Sequence, residues 1–89
     1  MHIEKTQPIR LSRWTHVFRK KETGHLALFH SLEIEVIFLE LRFFGFVTLL
    51  RKGTTLAHLE SAFGRLFGIQ IINEIIGSLT ASKMLVPTA

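Results

Sequence analysis

The 89-residue chain contains no cysteine and only two prolines. Without cysteine it forms no disulfide, no thiolate zinc site and no cysteine-ligated iron–sulfur cluster, and it has no thiol nucleophile. This absence is typical of a reducing compartment, and the first residues lack an apolar signal segment, so we expect a cytoplasmic protein. The most apolar stretch, residues 34–50, is interrupted by three charged side chains. A bilayer span needs about 20 mostly apolar residues, so we predict no membrane partner.

Acidic side chains are scarce in the first third of the chain. Residues 1–30 carry six Lys or Arg side chains and two Glu, whereas residues 31–89 carry five of each sign. The net charge of +4 therefore lies in the N-terminal part. A basic surface attracts nucleic acid, anionic lipid or acidic peptide, and charge alone does not choose among them.

Patterns that indicate catalysis, cofactors or metals are also lacking. No glycine-rich phosphate loop occurs, and the few acidic residues fit solvated helix faces. His16, His25 and His30 could approach one another across a hairpin, but they lack the His-x-x-x-His spacing and an obvious carboxylate partner. We therefore expect no catalytic residue, no metal and no cofactor, and we interpret the histidines as solvated.

Hydrophobic periodicity predicts strands first and helices afterwards. Residues 8–14 form an extended lead-in, residues 14–20 alternate like a strand, and residues 25–30 return as its hairpin partner after the "KETG" turn. Ser31 is placed as an N-cap, and the apolar spacing after it predicts a first helix, which "FFGFVTLL" either extends or follows as a separate short helix. Further helices are predicted over about residues 56–67, capped by Thr54 or Thr55, and 71–82.

This order of elements predicts one α+β domain over residues 1–89. It is winged-helix-like, with a three-stranded antiparallel sheet followed by three helices that pack on one face of the sheet. Residues 1–8 are expected to be a flexible N-terminus.

The strand at residues 25–29 is the expected binding edge. It contains no lysine, proline or glutamate that would block pairing with another chain. A peptide could add a strand there through main-chain hydrogen bonds. Most of the isoleucine stripe of the third helix is expected in the core, and Ile72, Ile76 and Leu79 are expected to line a groove at its margin.

Two other functions stay open at this point. A winged helix that binds nucleic acid would place its third helix in the major groove. That helix has one basic residue, Lys83, at its end, and also carries Glu74. Base and phosphate contacts need several cations, so duplex DNA binding is disfavoured and is kept as the alternative function. A small dimeric adaptor that uses "FFGFVTLL" is a third, weaker hypothesis.

Three segments resemble the RiPP recognition element, a domain similar to the PQQ-biosynthesis chaperone D. They are "LSRWTHVFRKKETGHLALFHSLEIEVIFLE", "GTTLAHLESAF" and "IINEIIGSLTASKMLVPT", and together they cover about residues 9–88. The junction Leu28–Leu32 and the closing segment Leu85–Pro87 look like the N-terminal element of radical SAM/SPASM peptide maturases. Such elements bind the leader peptides of ribosomally made precursors.

The resemblance implies that a leader peptide pairs with the strand at residues 25–29, beside the third helix. Carried over by position, the edge would comprise Leu26, Ala27, Leu28 and Phe29, the apolar wall Ile72, Ile76 and Leu79, and the cations for leader carboxylates Lys20, Lys21 or Lys83. The radical SAM run Cys-x-x-x-Cys-x-x-Cys is absent. We therefore expect a non-catalytic partner, or the front part, of a radical SAM maturase. The long segment "LRFFGFVTLL" suggests a surface for a catalytic domain or a second copy.

Overall fold

The computed structural model describes residues 3–88, in which four strands are followed by three helices and a fifth strand. The elements are β1 (Ile9–Leu11), β2 (Thr15–Lys20), β3 (His25–His30), β4 (Glu35–Glu40), a 3₁₀ turn (Leu41–Phe43), α1 (Phe44–Lys52), α2 (Leu56–Phe67), α3 (Ile69–Ala81) and β5 (Leu85–Pro87). The predicted α+β class is confirmed, with a three-stranded antiparallel sheet followed by three helices.

The strand β3 lies in the centre of the main sheet, whose order is β2-β3-β4. Leu28 of β3 is opposite Val17 of β2 on one side and opposite Ile37 of β4 on the other. The short β1 is not part of this sheet, because it pairs with β5 at the other end of the chain. The two ends of the domain are thereby joined by a separate two-stranded ribbon.

The helix predicted from Ser31 is wrong, because residues 31–34 form a turn and residues 35–40 form β4. Four large apolar residues in succession, "VIFL", fit a helical stripe and a strand equally well. Their β-branched and aromatic character favours the strand, where they also pair with β3. Ser31 caps no helix, and its hydroxyl instead donates to the Trp14 carbonyl over 3.3 Å.

The helices after this point lie close to their predicted positions. Thr55 caps α2, since its side-chain oxygen accepts a hydrogen bond from the His58 N–H at 3.1 Å. The segment "FFGFVTLL" contributes the separate short helix α1. None of the helices within residues 3–88 has both the length and the apolar character that a membrane crossing needs.

The hydrophobic core forms where the helices pack on one face of the main sheet. The strand β3 contributes Leu26 and Leu28, which are fully buried. The helices contribute Phe46, Val47, Leu50, Leu59, Ile72, Ile75, Ile76 and Leu79. Leu26 and Leu28 of the central strand thus belong to the same core cluster as side chains from all three helices.

The N-terminal segment also packs against the helices. The Lys5 carbonyl accepts a hydrogen bond from the Ala57 N–H at 3.0 Å, and Lys5 Nζ lies 3.1 Å from a Glu60 carboxylate oxygen. Ile3 is half-buried against the core. Of residues 1–8, predicted to be a flexible N-terminus, Lys5 thus contacts α2 and Ile3 contacts the core, and residues 1–2 lie outside the described part.

The two hairpins of the main sheet close with equivalent four-residue loops. In each, the last loop residue has a positive φ, +71° at Gly24 and +52° at Ile34. Its N–H donates to the carbonyl of the last residue of the preceding strand, over 3.0 Å to Lys20 and 2.9 Å to His30. Glycine adopts this conformation at little cost, whereas a β-branched residue rarely does. Ile34 is therefore strained. Its side chain is 78% exposed, so packing contributes little to offset this strain.

Replacing Ile34 should test this strain directly. We expect Ile34→Gly to raise the free energy of unfolding by up to about 1 kcal/mol, because relief of the left-handed strain exceeds the entropy cost of glycine. The equivalent change in the other loop, Gly24→Ile, should lower it by about 1–2 kcal/mol. Urea unfolding followed by circular dichroism measures both. A lower stability of Ile34→Gly, or an unchanged stability of Gly24→Ile, would contradict the strain assigned to this loop position.

His30 holds the second loop from inside the protein. Its side chain is only 5% exposed, and Nδ1 accepts hydrogen bonds from the N–H groups of Leu32 (3.2 Å) and Glu33 (3.1 Å). Because Nδ1 is the acceptor in both bonds, the proton of the neutral ring is on Nε2. The imidazole thus does what an Asn or Asp side chain does at the start of a turn.

This role predicts which substitutions the loop tolerates. His30→Ala should lower the free energy of unfolding by about 1–3 kcal/mol, since two backbone donors lose their acceptor and a cavity forms. His30→Asn should retain part of this stability, because its side-chain oxygen can accept the same bonds. Thermal unfolding of both variants measures the difference, and equal losses would show that the hydrogen bonds contribute nothing.

Candidate functional site

The strand predicted to bind a peptide has no open side. Residues 25–30 pair with β2 along one side and with β4 along the other. Each backbone N–H and C=O of an inner strand is used by one neighbour or the other. The expectation that Leu26, Ala27, Leu28 and Phe29 form an edge is therefore wrong, and the reason is the unpredicted strand β4.

The predicted apolar wall lies inside the protein. Ile72, Ile76 and Leu79 are all buried and belong to the core cluster. Ile76 also reaches a cleft of about 510 Å³ between the N-terminal segment, α2 and α3, where Lys5 and Glu60 form their ion pair. The groove expected at these three residues beside the edge is therefore not found, because their helix face is turned into the core.

The three predicted lysines lie apart from one another. Lys20 ends β2 and Lys21 begins the following loop, both exposed at one end of the main sheet. Lys83 follows α3, and its Nζ lies 3.4 Å from a Glu33 carboxylate oxygen in the loop before β4. Lys83 thus brings the end of α3 next to the start of β4.

The strand β4 is an outer strand of the main sheet, and alternation shows which of its backbone groups face outward. The Leu41 N–H donates to the Gly24 carbonyl at 2.8 Å, one step beyond the pair His25–Glu40. Hydrogen-bonded and non-hydrogen-bonded pairs alternate in an antiparallel ladder. Ile37 and Leu39 therefore exchange bonds with β3, and the N–H and C=O groups of Val36, Phe38 and Glu40 point away from it.

The side chains of β4 give this edge two different faces. Ile37 and Leu39 are half-buried against the core. Val36 and Phe38 are 45% and 62% exposed on the opposite, outer face. Glutamates stand at both ends of the strand, and between them it has no proline and no charge. Proteins often block such edges with lysine or proline, and this one is blocked only at its ends.

The opposite edge of the sheet, at β2, is better protected. The Thr15 N–H donates to the Ser12 carbonyl at 3.0 Å, and the two hydroxyls are 2.9 Å apart. The Arg19 guanidinium lies over the Phe44 ring at 4.6 Å. A hydrogen-bonded turn thus occupies one end of β2, and a cation that stacks on α1 lies near the other.

Within residues 3–88, no group of three His, Asp or Glu side chains is placed to hold a metal ion. His16 and His25 are exposed on the outer face of the main sheet, while His30 is buried and bonded to its loop. The exposed face of α3 carries Gln70, Asn73, Glu74 and Ser78 and no cation.

Comparison with known proteins gives no match: neither a protein-family model nor a curated protein resembles the chain closely enough. The site is therefore interpreted from its geometry. Sequence reasoning missed β4, although "EVIFLE" carries a signal for it. Its β-branched and aromatic residues follow residues 31–34, a segment of the same length as the "KETG" turn at residues 21–24 of the first hairpin.

Backbone alternation along β4 predicts that proline affects stability differently at two neighbouring positions. Phe38→Pro removes an N–H that bonds to nothing in β3, so it should change the free energy of unfolding little. Ile37→Pro removes a ladder donor and leaves a buried carbonyl unpaired, which should cost about 1–3 kcal/mol. Urea unfolding measures both. In the unsubstituted protein, the amides of Val36 and Phe38 should exchange with solvent faster than those of Ile37 and Leu39.

Proposed function

We propose that this chain binds an extended peptide as a fourth strand on β4. In line with the resemblance to RiPP recognition elements, the peptide is the leader of a ribosomally made precursor. The chain itself performs no chemistry and presents the precursor to a maturation enzyme of the radical SAM class. The observation that carries the proposal is the outward-facing backbone of β4, moved one strand from the edge that the sequence predicted.

The edge offers a peptide both affinity and selectivity. Val36, Phe38 and Glu40 each present one N–H and one C=O, and each main-chain hydrogen bond contributes about 0.5–1.5 kcal/mol net. A fourth strand would also alternate its side chains between the two faces. On the core side they would meet Ile37 and Leu39, and on the outer side Phe38. Strand addition of this kind takes affinity from the backbone and specificity from alternate side chains.

The end of α3 lies near β4 and offers a bound peptide a second surface beside the strand. The ion pair between Lys83 and Glu33 holds the chain after α3 next to the loop that precedes β4. A peptide that pairs with β4 would therefore meet the end of α3 as well as the strand. Of the predicted lysines, Lys83 lies near the proposed site, whereas Lys20 lies on β2, two strands away from the β4 edge.

Binding a leader would act on the reaction by tethering. A bound leader holds the attached core peptide near the enzyme at an effective concentration that the linker length sets. This role needs no catalytic residue. The nucleic-acid alternative has less support, because the exposed face of α3 carries Glu74 and no cation, whereas groove binding needs several.

The test begins with peptides selected from a random short-peptide display library on the unsubstituted protein. We expect the selected peptides to lose affinity about tenfold or more for Phe38→Pro, which removes a main-chain donor at the centre of the edge. Arg19→Pro, the matched change at the opposite edge, should leave their affinity unchanged. Isothermal titration calorimetry measures both variants, and circular dichroism confirms that they fold.

Amide hydrogen exchange supplies an independent readout. A bound peptide should slow exchange at Val36, Phe38 and Glu40 and leave the already bonded Ile37 and Leu39 unchanged. Equal affinity for the two proline variants, protection along β2 instead of β4, or a failure to select any peptide would each refute strand addition at this edge.

A further inference from the structure

The outer face of the main sheet, which points away from the helices, carries large apolar side chains. Phe18 of β2 is 54% exposed, and Phe38 and Val36 of β4 are exposed to a similar degree. Trp14, at the start of β2, is also exposed. The Arg13 guanidinium lies 4.8 Å from the centre of the Trp14 ring, whereas Phe18, Val36 and Phe38 remain exposed. Contiguous apolar surface of this kind indicates an interaction site.

The residues of this face form rows that cross the three strands. In one row Phe18 and Phe38 lie on either side of Ala27. In the next row toward the first loop, Lys20 and Glu40 lie on either side of His25. The first row has large side chains on its two outer strands and a small one in the centre.

These rows are complementary to themselves under one particular two-fold rotation. When two such sheets pack face to face about an axis parallel to the strands, β2 of each copy lies against β4 of the other. Each row then faces the same row of the second copy. Lys20 meets Glu40 of the second copy, and Phe18 meets Phe38 of the second copy. Because the contact is isologous, each of these pairs occurs twice.

The alternative rotation lacks this complementarity. An axis perpendicular to the strands places β2 against β2 and reverses the order of the rows. Lys20 would then meet the row of His16 of the second copy, and Glu40 would meet the row of Val36. Neither contact joins opposite charges, so the register of the sheet selects the parallel axis.

We propose that the outer face of the main sheet is a homodimer interface, with the two-fold axis parallel to the strands and Lys20 paired with Glu40 of the second copy. A second copy fits this face better than a polyanion does, because the face has Lys20 at its β2 edge and the Glu40 carboxylate at its β4 edge. One Glu40 oxygen lies 2.7 Å from Arg42 Nε, and the half-exposed carboxylate also faces the second copy. The outward backbone of β4 is not used in this packing. The dimer therefore leaves the main-chain groups of the proposed peptide site free, although both contacts use the Phe38 ring.

The size of the face indicates how strong the dimer is. Three strands spaced about 4.8 Å apart and six residues long cover roughly 14 by 20 Å. This footprint, roughly 280 Å² on each copy, is below the roughly 600–1,000 Å² that each partner of a specific interface buries. The dimer is thus expected to be weak and to form in the micromolar range or above.

Two charge reversals test the axis and the pairing together. Lys20→Glu and Glu40→Lys should each weaken dimerisation by about tenfold, because each homodimer then contains two like-charge contacts. An equimolar mixture of the two variants should dimerise as well as the unsubstituted protein, since both charge contacts in the mixed dimer are again attractive. Sedimentation equilibrium over a range of protein concentrations measures all three samples.

Two further variants serve as controls. Lys21→Glu makes the same charge change one residue away, in the loop, and should alter dimerisation little. Phe18→Ser should abolish the dimer while leaving the β4 edge intact for peptide binding. A protein that stays monomeric up to about millimolar concentration, or a mixture that shows no rescue, would overturn the proposal.

Discussion

The pairing of β3 on both of its sides is the constraint on which the rest of the domain depends. Its inward side chains, Leu26 and Leu28, are fully buried beneath the helices. Its backbone is bonded to β2 and to β4 throughout. One strand therefore fixes the sheet, the face on which the helices pack and the identity of the two outer edges.

The two outer edges of the sheet differ in how far neighbouring residues protect them. At β2, a hydrogen-bonded turn lies at one end of the strand, and Arg19 near the other end stacks on Phe44 of α1. At β4, only the terminal glutamates interrupt an otherwise apolar strand, and Val36 and Phe38 direct backbone groups outward. The loop that leads into β4 is held by the buried His30 and includes the strained Ile34. Strain of this kind persists where the surrounding structure determines the conformation, and it often accompanies functional segments.

The proposed peptide edge and the proposed dimer face use the same sheet in perpendicular directions. Strand addition uses the backbone in the plane of the sheet, and face-to-face packing uses side chains normal to it. Phe38 takes part in both, through its N–H and C=O in one case and its ring in the other. Lys20 and Glu40 lie at the two borders of the face, where their opposite charges set the orientation of a second copy.

The sequence by itself determined the α+β class, the hairpin of β2 and β3, the helix over residues 56–67 and a threonine cap at Thr54 or Thr55, because these follow from local periodicity and turn chemistry. It did not determine the state of residues 31–40, since a run such as "VIFL" suits both helix and strand. Only the tertiary structure decided that β4 pairs with β3, because that choice depends on long-range backbone pairing. The same pairing moved the candidate site from residues 25–29 to β4, and the packing of α3 placed Ile72, Ile76 and Leu79 in the core.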